Sequence, residues 1–396
     1  MTLTLRDDAP AALASTPAVR SLIEALDGEG GETRIVGGAV RNALLGRHVH
    51  EIDLATSNAP DETIRLAEAA GFRTIPTGIA HGTVTVLVGG EPFEVTSLRE
   101  DVETDGRHAT VRFGQDFALD AQRRDFTINA MSVGLDGVLH DTTGGLDDLR
   151  AGRVRFIGDA GQRIREDYLR VLRFFRFSAE YAIGAVDPNG LDAAIRARDG
   201  LAILSRERIR AELLKLLAAE RGVEVCGLLS ASGLLLRLTG AVAETGRLGR
   251  AVKAGLDPPR RLAALLVRTS EDAERLREQL RLSNAEAGDL RAFATISARL
   301  RSVPDRLDAI AIRRLAAEHG IPALGWSAAI LAGEPRPIFT ADGADQLRRY
   351  RDGSAAGPVF RLTGGDLVRE GVPPGPEVGR ILAERRAAWL AEGCPD

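Results

Sequence analysis

The sequence has little cysteine and no long apolar run. Its two cysteines, Cys226 and Cys394, are far apart and belong to no C-x-x-C or Cys/His cluster, so we expect neither a disulfide framework nor a structural zinc site. A buried thiol at Cys226 and an exposed one at Cys394 are predicted instead. Without 18 consecutive apolar residues no transmembrane helix is expected. The first residues lack the pattern of a signal peptide, which favours a cytoplasmic location.

Lysine is also nearly missing. Of the 52 basic residues only Lys215 and Lys253 are lysines, and genomic base composition is the simplest explanation. The net charge of -4 argues against indiscriminate nucleic-acid binding, which needs clustered cations, but it allows a local basic patch. The planar guanidinium of arginine suits contacts with phosphates and bases.

The sequence pattern changes near Gly144-Gly145. Before these glycines, from about residue 34, strand and helix patterns alternate, and a hairpin is predicted around Gly89-Gly90. After them, almost every segment has helical periodicity, for example 161–181, 205–220 and 306–318. The 396 residues therefore predict an α+β N-terminal part and an all-α remainder. A loose arm is expected over 1–16, and a long polar loop, with a possible functional role, over 99–118.

A glycine turn lies between a predicted strand and a predicted helix, in Val36-Gly37-Gly38-Ala39-Val40-Arg41. Glycines let the backbone approach a ligand, and the first amides of a helix are unpaired, so the turn suits an anion such as a triphosphate. Arg41 could add a charge-assisted contact. A simple structural turn is the alternative.

Three acidic residues form a candidate metal site. If residues 51–53 are a strand, Glu51 and Asp53 point to the same face, where two carboxylates repel each other unless a cation such as magnesium lies between them. Glu94, inside an otherwise apolar strand, is a third candidate, because a lone acid is costly to bury. The alternatives are a solvated edge strand and a pairing of Glu94 with an arginine.

Two arginine-rich segments follow. In the first, residues 123–131, a helix would bring Asp125 and Asn129 to one face. Together with Arg123 and Arg124 they fit contacts to a nucleotide phosphate or sugar. A surface ion-pair network is the alternative. The second forms a basic helical stripe and contains Arg170, Arg173 and Arg176.

Asp167 lies three residues before Arg170 and could read a base together with it. A carboxylate accepts from an exocyclic amino group, while a guanidinium donates to the neighbouring ring acceptor. Cytosine and adenine offer this edge, whereas guanine and uracil present a ring N–H and a carbonyl. The pair could therefore select C and A without a template. A surface salt bridge between the two residues is the alternative.

Taken in order, these segments resemble the class II CCA tRNA nucleotidyltransferase and bacterial poly(A) polymerase family. The resemblance covers about residues 35–215. The matching stretches are Val36–Gly46, Glu51–Thr56, His81–Val86, Arg107-His108, Arg123–Met131, Asp141 with Gly144-Gly145, Glu166–Arg170 and Ser205–Arg210.

The resemblance implies a palm-like nucleotidyltransferase head with a mixed sheet, followed by an all-α neck, body and tail. Residues 1–30 would form an N-terminal arm and helix, 31–150 the catalytic head, 151–222 the neck with base and RNA contacts, and 223–396 the tRNA-binding body and tail. The implied reaction adds C, C and A to the 3′ end of tRNA from CTP and ATP, with two Mg²⁺ ions. Its partners would be tRNA and nucleoside triphosphates, with no membrane.

The resemblance, together with the chemistry of the residues described above, gives the candidate roles. Glu51 and Asp53 would hold magnesium, and Glu94 is the further catalytic candidate. The nucleotide-binding candidates are Gly37, Gly38, Arg41, Arg123, Arg124, Asp125, Asn129, Glu166, Asp167, Arg170, Arg173 and Arg176. The family usually has Asp at the positions of Glu51 and Asn42; Glu51 keeps the charge but adds a methylene.

Other activities remain open. An enzyme that adds only CC or only A, a poly(A) polymerase, and an RNA-binding protein with a decayed active site are the alternatives. The chain ends without a basic tail, which favours tRNA over polyadenylation.

Overall fold

The computed structural model describes residues 2–28, 30–79, 82–104, 109–302, 306–334 and 338–395. The chain divides into two compact units, Met1–Leu204 and Ser205–Asp396. None of the helices in the described ranges is both long and apolar enough to cross a membrane.

A mixed sheet organises the first unit. Its strands, within the described residues, are β1 Thr33–Val36, β2 Asp53–Thr56, β3 Arg73–Gly78, β4 Thr83–Val88, β5 Glu91–Ser97, β8 Ser132–Val133 and β9 Leu139–His140. They are arranged in the order β3-β4-β5-β2-β1-β8-β9. Strand β2 runs parallel to β5, while the remaining neighbours are antiparallel. The hairpin predicted around Gly89-Gly90 is confirmed by the pairing of β4 with β5.

Helices surround this sheet and follow it in the first unit. They are α1 Ala9–Ala14, α2 Pro17–Leu26, α3 Gly38–Leu44, α4 Pro60–Ala69, α5 Phe117–Gln122, α6 Gly145–Arg150, α7 Ala160–Glu166, α8 Leu169–Tyr181 and α9 Pro188–Arg196. Short 3-10 segments cover Thr127–Asn129 and Arg198–Ile203. Helix α2 shows why such segments fold: Pro17 begins it, and Val19, Leu22, Ile23 and Leu26 recur at helical spacing and are buried.

An aromatic cluster anchors α8 to the sheet side of this unit. The rings of Phe126 and Phe156 are 4.8 Å apart, and those of Phe156 and Phe174 are 5.5 Å apart. All three side chains are almost completely buried, and Phe177 joins them 5.2 Å from Phe126. This core fixes the face of α8 that carries the arginines relative to the segment around residue 126.

Three expectations about local structure are wrong. The predicted loop over 99–118 contains the two-stranded sheet of β6 Arg99–Thr104 and β7 Ala109–Phe113, followed by the start of α5; residues 105–108 lie outside the described ranges. The predicted arm over 1–16 contains α1, which Pro10 helps to begin. The predicted helix over 161–181 is interrupted between α7 and α8, because Asp167 has an extended backbone.

The described regular elements of the second unit are helices, apart from an isolated bridge between Leu307 and Phe339. Its helices are α10 Arg206–Ala218, α11 Gly222–Ala231, α12 Leu234–Thr239, α13 Thr245–Lys253, α14 Pro258–Leu266, α15 Ser270–Leu280, α16 Asn284–Ser302, α17 Ala309–His319, α18 Ile321–Leu331, α19 Ala341–Arg351, α20 Gly364–Arg369 and α21 Pro376–Ala391. The predicted change from a mixed sheet to helices is confirmed. Cys226 is buried as predicted, but the expectation of an exposed thiol at Cys394 is wrong, since that residue is also fully buried.

Candidate active site

Two carboxylates face each other across neighbouring strands. Asp53, the first residue of β2, is the register partner of Glu94 on β5, and Val36 of β1 pairs with Asp53 from the other side. Glu51 lies two residues before the strand, so the conditional prediction of a strand that contains both Glu51 and Asp53 does not hold. Burial raises the pKa of Asp53, and the negative charges of Glu94 and Glu51 raise it further, whereas Arg124 lowers it. Both other acids therefore act electrostatically on Asp53.

The glycine turn lies at the same edge of the sheet, immediately after Val36. Gly37 has φ +70° and ψ −123°, a conformation that L-residues rarely adopt, and Gly38 begins α3. A Cβ atom on Gly37 would lie 3.2 Å from Nη1 of Arg124. The turn, Arg124 and the carboxylates of Asp53 and Glu94 are thus neighbours.

Arg41 is buried beneath this turn, with 6% of its surface exposed. Its guanidinium donates to Oδ1 of Asn129, to Oδ1 of Asn42 at 3.0 and 3.2 Å, and to the Tyr181 hydroxyl at 2.8 Å. It also stacks on the Tyr181 ring, 4.1 Å from its centroid. Burial lowers the pKa of Arg41. None of the carboxylates in the described part of the chain forms an ion pair with it, so neutral acceptors hold this charge.

The segment 123–131 is not the helix that the spacing predicted. Helix α5 ends at Gln122, and only the short 3-10 turn Thr127–Asn129 follows. Asp125 and Asn129 nevertheless meet, because Nδ2 of Asn129 donates to Oδ1 of Asp125 at 3.1 Å. Local turns bring the two side chains together where helical spacing had been expected to do so.

Asp125 links this turn to α8. Arg173 of α8 donates to its Oδ2 through Nε at 2.6 Å, and Nη2 of Arg173 is also 2.6 Å from that oxygen. Burial alone would raise the pKa of Asp125, but the charge of Arg173 and the hydrogen bonds from Asn129, Arg173 and the Phe126 amide lower it overall. Arg41, Asn129, Asp125 and Arg173 therefore form one continuous chain of polar contacts.

Arg123 and Arg124 share one carboxylate, that of Asp120. Oδ1 of Asp120 accepts from Arg123, with Nε at 2.8 Å, and Oδ2 accepts from Nε and Nη2 of Arg124 at 3.1 and 3.0 Å. Asp120 is 4% exposed. No prediction from the sequence included Asp120, although its spacing of three and four residues from the two arginines is a usable signal.

Arg170 and Asp167 are not paired in the way that the spacing suggested. The break before α8 takes Asp167 out of the helix, and its Oδ1 accepts from the Leu169 amide at 3.0 Å. Arg170 instead forms an ion pair with Glu166 at 2.6 Å and donates to the Arg163 and Arg123 carbonyls at 2.9 and 3.2 Å. Glu166 and Arg170 thus lie in direct contact, with Asp167 between them in sequence.

The predicted arginine stripe does lie on one helix, α8, and each member has an acidic partner. Arg170 pairs with Glu166, Arg173 with Asp125, and Arg176 with Glu180 at 3.2 Å. Arg176 also lies over the Phe177 ring, 4.1 Å from its centroid. Glu180 and Tyr181 were missed, since nothing in the local pattern distinguishes them from ordinary helix residues.

The acids at the sheet edge fit a divalent cation. Within the described ranges no three Asp, Glu, His or Cys side chains are already arranged to hold a metal ion. Magnesium, however, is commonly bound by one or two carboxylates and completes its shell with water and substrate phosphates. The mutual repulsion that raises the pKa of Asp53 is the imbalance that a cation would relieve.

Two family profiles match the chain. Residues 33–155 match the poly A polymerase head domain, and residues 185–241 match a domain described as the probable RNA and SrmB-binding site of polymerase A. The first match covers the mixed sheet and every residue of the glycine turn and carboxylate pair. His81, Arg107 and His108, which contributed to the sequence resemblance, lie outside the described residues.

Relatives match over nearly the whole chain. The mitochondrial CCA tRNA nucleotidyltransferase 1 of Danio rerio is 37% identical over 90% of this chain and 83% of its own length. The CCA-adding enzyme of Leuconostoc citreum is 32% identical over 93% and 90%. Among solved structures, the Bacillus stearothermophilus CCA-adding enzyme in complex with CTP has a TM-score of 0.71 and 26% identity, covering 95% of this chain and 94% of its own.

Proposed function

This chain belongs to the family of class II CCA-adding tRNA nucleotidyltransferases, and from that premise we propose that it adds C, C and A to the 3′ end of tRNA. The substrates are CTP and ATP. In each cycle the tRNA 3′-oxygen forms a bond to the α-phosphorus, the bond to the β-phosphate oxygen breaks, and pyrophosphate leaves with the proton of the hydroxyl lost to solvent or a base.

The carboxylates beside the glycine turn carry this proposal. Asp53 and Glu94 face each other, Val36 pairs with Asp53, and Gly37 follows Val36 directly. A phosphate-type turn next to acidic side chains is the combination that a metal-assisted nucleotidyl transfer requires. A protein that only bound RNA would gain nothing from like charges held together at this edge.

Magnesium is part of the proposal. Glu51 and Asp53 would hold it, with Glu94 as a further catalytic acid. When bound, two such ions would lower the pKa of the attacking hydroxyl and stabilise the leaving pyrophosphate. Glu51 precedes β2, so we expect a segment outside the strand to accommodate its longer side chain.

The arginines would bind the triphosphate. We assign phosphate contacts to the backbone of Gly37 and Gly38 and to the side chains of Arg41, Arg124 and neighbouring Arg123. Buried Arg41 has neutral acceptors for partners, so its charge is available to a polyanion. Arg173 and Arg176 would extend the positive surface along α8. Asp125 and Asn129 would position Arg173 and Arg41 for these contacts, since their side chains already accept hydrogen bonds from the two arginines.

Base selection is assigned to Asp167 and Arg170, with Glu166 beside them. Cytosine and adenine share the amino-and-acceptor edge that a carboxylate and a guanidinium can bind together. Because Arg170 is bound to Glu166 in this structure, it would exchange part of that ion pair for the base. Glu166 would thus keep Arg170 in reach before the nucleotide arrives.

We assign residues 31–150 to the catalytic head, 151–222 to the neck and 223–396 to a tRNA-binding body and tail, after an N-terminal segment over 1–30. The boundary between the compact units, after Leu204, falls inside this proposed neck. The structure of the Thermotoga maritima CCA-adding enzyme with tRNA shares the fold at a TM-score of 0.69. A cytoplasmic location is also proposed, although some relatives are named as mitochondrial.

The test is incorporation of labelled CTP and ATP into tRNA that lacks CCA, with the full chain and magnesium. We expect three additions in the order C, C and A, and none after chelation of magnesium. Addition of CC alone, of A alone, or of many A residues to any RNA would each identify one of the other enzymes in the family.

Asp53→Asn is the decisive variant, and Asp61→Asn is its matched control. Asp61 is an exposed acid in the first turn of α4, away from the carboxylate pair. We expect Asp53→Asn to lose about a thousandfold or more of activity while still binding tRNA, and Asp61→Asn to remain active. Wild-type protein that binds tRNA but incorporates neither nucleotide would refute the enzymatic proposal.

A further inference from the structure

Asp120, like Asp148 with Arg153 and Arg155, is a buried acid of the first unit that contacts two arginines at once, but one of the arginines of Asp120 lies beside the Gly37 turn. It lies in the last turn of the short helix α5, and its two oxygens divide between Arg123 and Arg124. With 4% exposure it is as buried as the hydrophobic core around it. A buried carboxylate with all of its acceptor sites directed at two cations fixes both in space.

The orientation that Asp120 imposes on Arg124 is specific. Nε and Nη2 of Arg124 bind Asp120, which leaves Nη1 on the opposite side of the guanidinium. Among the described residues, that Nη1 atom makes only a long hydrogen bond, 3.4 Å, to the Asn129 carbonyl. It also lies 3.2 Å from where a Cβ of Gly37 would be. The free edge of Arg124 therefore faces the glycine turn.

The charges of Asp120, Arg123 and Arg124 also favour an anion at the glycine turn. One carboxylate serves two guanidinium groups, so Asp120, Arg123 and Arg124 together carry one net positive charge beside the turn. Arg124 is one quarter exposed, which leaves it open to a ligand, while Asp120 is not. Arg123 also contributes its carbonyl to Arg170 at 3.2 Å, so the cluster touches the proposed base-reading arginine.

We propose that Asp120 is a positioning residue for nucleotide binding: it holds Arg124 so that its Nη1 edge meets the triphosphate at the Gly37-Gly38 turn. The inference rests on the proposed function, because it assumes a nucleoside triphosphate at this turn. Asp120 itself does not touch the substrate. It acts through Arg124, and loss of its charge turns the guanidinium away from the turn.

The test is the steady-state kinetics of Asp120→Asn in the full chain, with CTP and tRNA lacking CCA. Asparagine keeps the shape but replaces one acceptor by an N–H₂ group, so it no longer holds both arginines. We expect KM for CTP to rise about tenfold, with kcat changed much less and KM for tRNA unchanged. Inhibition by pyrophosphate should weaken by a similar factor, because the same guanidinium edge binds it.

Asp116→Ala is the matched control. Asp116 begins the same helix and accepts from the Ala118 and Leu119 amides at 2.7 and 3.3 Å, but it does not contact Arg124. The Asp116→Ala substitution should lower the melting temperature without changing KM for CTP. If Asp120→Asn behaves like Asp116→Ala, with reduced stability and unchanged KM and pyrophosphate inhibition, Asp120 is structural only and the proposal is overturned.

A double-mutant cycle with Arg124→Gln provides the second check. If Asp120 acts mainly through Arg124, adding Asp120→Asn to Arg124→Gln should raise KM for CTP much less than Asp120→Asn does in the wild-type chain. Independent, multiplicative effects would contradict the proposal. If Asp120→Asn does not fold, Asp120→Glu replaces it in the cycle. We then expect a smaller rise in KM for CTP, and an unchanged KM for CTP would contradict the proposal. A wild-type chain that incorporates no nucleotide would refute the proposed function instead.

Discussion

Replacing Gly37 by alanine tests the backbone geometry on which the candidate site depends. The residue has φ +70° and ψ −123°, outside the regions open to residues with a Cβ atom. Holding alanine there costs about 1–3 kcal/mol of backbone strain. The new methyl group would also lie 3.2 Å from Nη1 of Arg124, which must shift by a few tenths of an ångström while it stays bound to Asp120. The loss therefore includes the backbone strain and this small displacement.

The assay has to measure the stability of the first unit separately from that of the second. Both tryptophans, Trp326 and Trp389, belong to the second unit, so their fluorescence is an internal control and not the readout. Hydrogen exchange of peptides that cover 33–56, in increasing urea, reports on β1, α3 and β2. We expect Gly37→Ala to lower the free energy of unfolding there by about 2 kcal/mol, with the tryptophan signal unchanged.

Gly38→Ala separates strain from substrate binding. Gly38 has helical geometry, and a Cβ there would make an ordinary 3.5 Å contact with Arg41. The free energy of unfolding of Gly38→Ala should therefore equal that of wild type or exceed it by up to about 1 kcal/mol, as for other glycines replaced in helices. If the backbone approaches the triphosphate closely, KM for CTP should still rise. Equal stability of Gly37→Ala and wild type would refute the conformational argument.

Three further predictions concern charge. Burial raises the pKa of Asp27 to about 6, from 3.8 in an unfolded chain, so the native state loses stability as the pH rises through about 6. The melting temperature of Asp27→Asn should therefore exceed that of wild type at about pH 8, and the difference should disappear near about pH 4. Asp125→Asn should destabilise the first unit by about 2–4 kcal/mol in urea at neutral pH. This difference in stability should narrow as the pH falls below about 4, because Asp125 of the unfolded chain then takes up a proton, whereas native Asp125, with its lowered pKa, does so only at still lower pH. Glu94→Gln should raise the urea midpoint of the metal-free protein, since it removes a like charge opposite Asp53, while reducing magnesium-dependent incorporation of CTP; a lower midpoint would contradict the repulsion.

The sequence predicted those parts of the fold that depend on local patterns. Helix α2 has its proline at the start and its apolar residues at helical spacing, and the hairpin of β4 and β5 has two glycines at its turn. The change from sheet to helices after Gly144-Gly145 was visible for the same reason. Patterns of this kind depend on near neighbours in the chain, so one sequence is enough to recognise them.

The sequence could not predict which charged groups would meet. Helical spacing left a salt bridge between Asp167 and Arg170 open, but Asp167 has an extended backbone that ends α7, and Arg170 forms its ion pair with Glu166. Arg41 and Tyr181 are 140 positions apart and share a hydrogen bond that only the tertiary fold creates. In the same way, the polar composition of 99–118 concealed a hairpin, because alternation in two short strands is weak evidence against a loop.

The unfavourable features of the first unit are concentrated where ligands of opposite charge would bind. Asp53 and Glu94 repel each other across two strands, Gly37 has a backbone that other residues would find strained, and Arg41 is buried without a carboxylate partner in the described chain. Each costs stability in isolation. A magnesium–triphosphate complex would supply a cation to the acids and an anion to the arginine together. These features are therefore better explained by substrate binding than by folding, which would favour neutral residues in place of the acids and of Arg41.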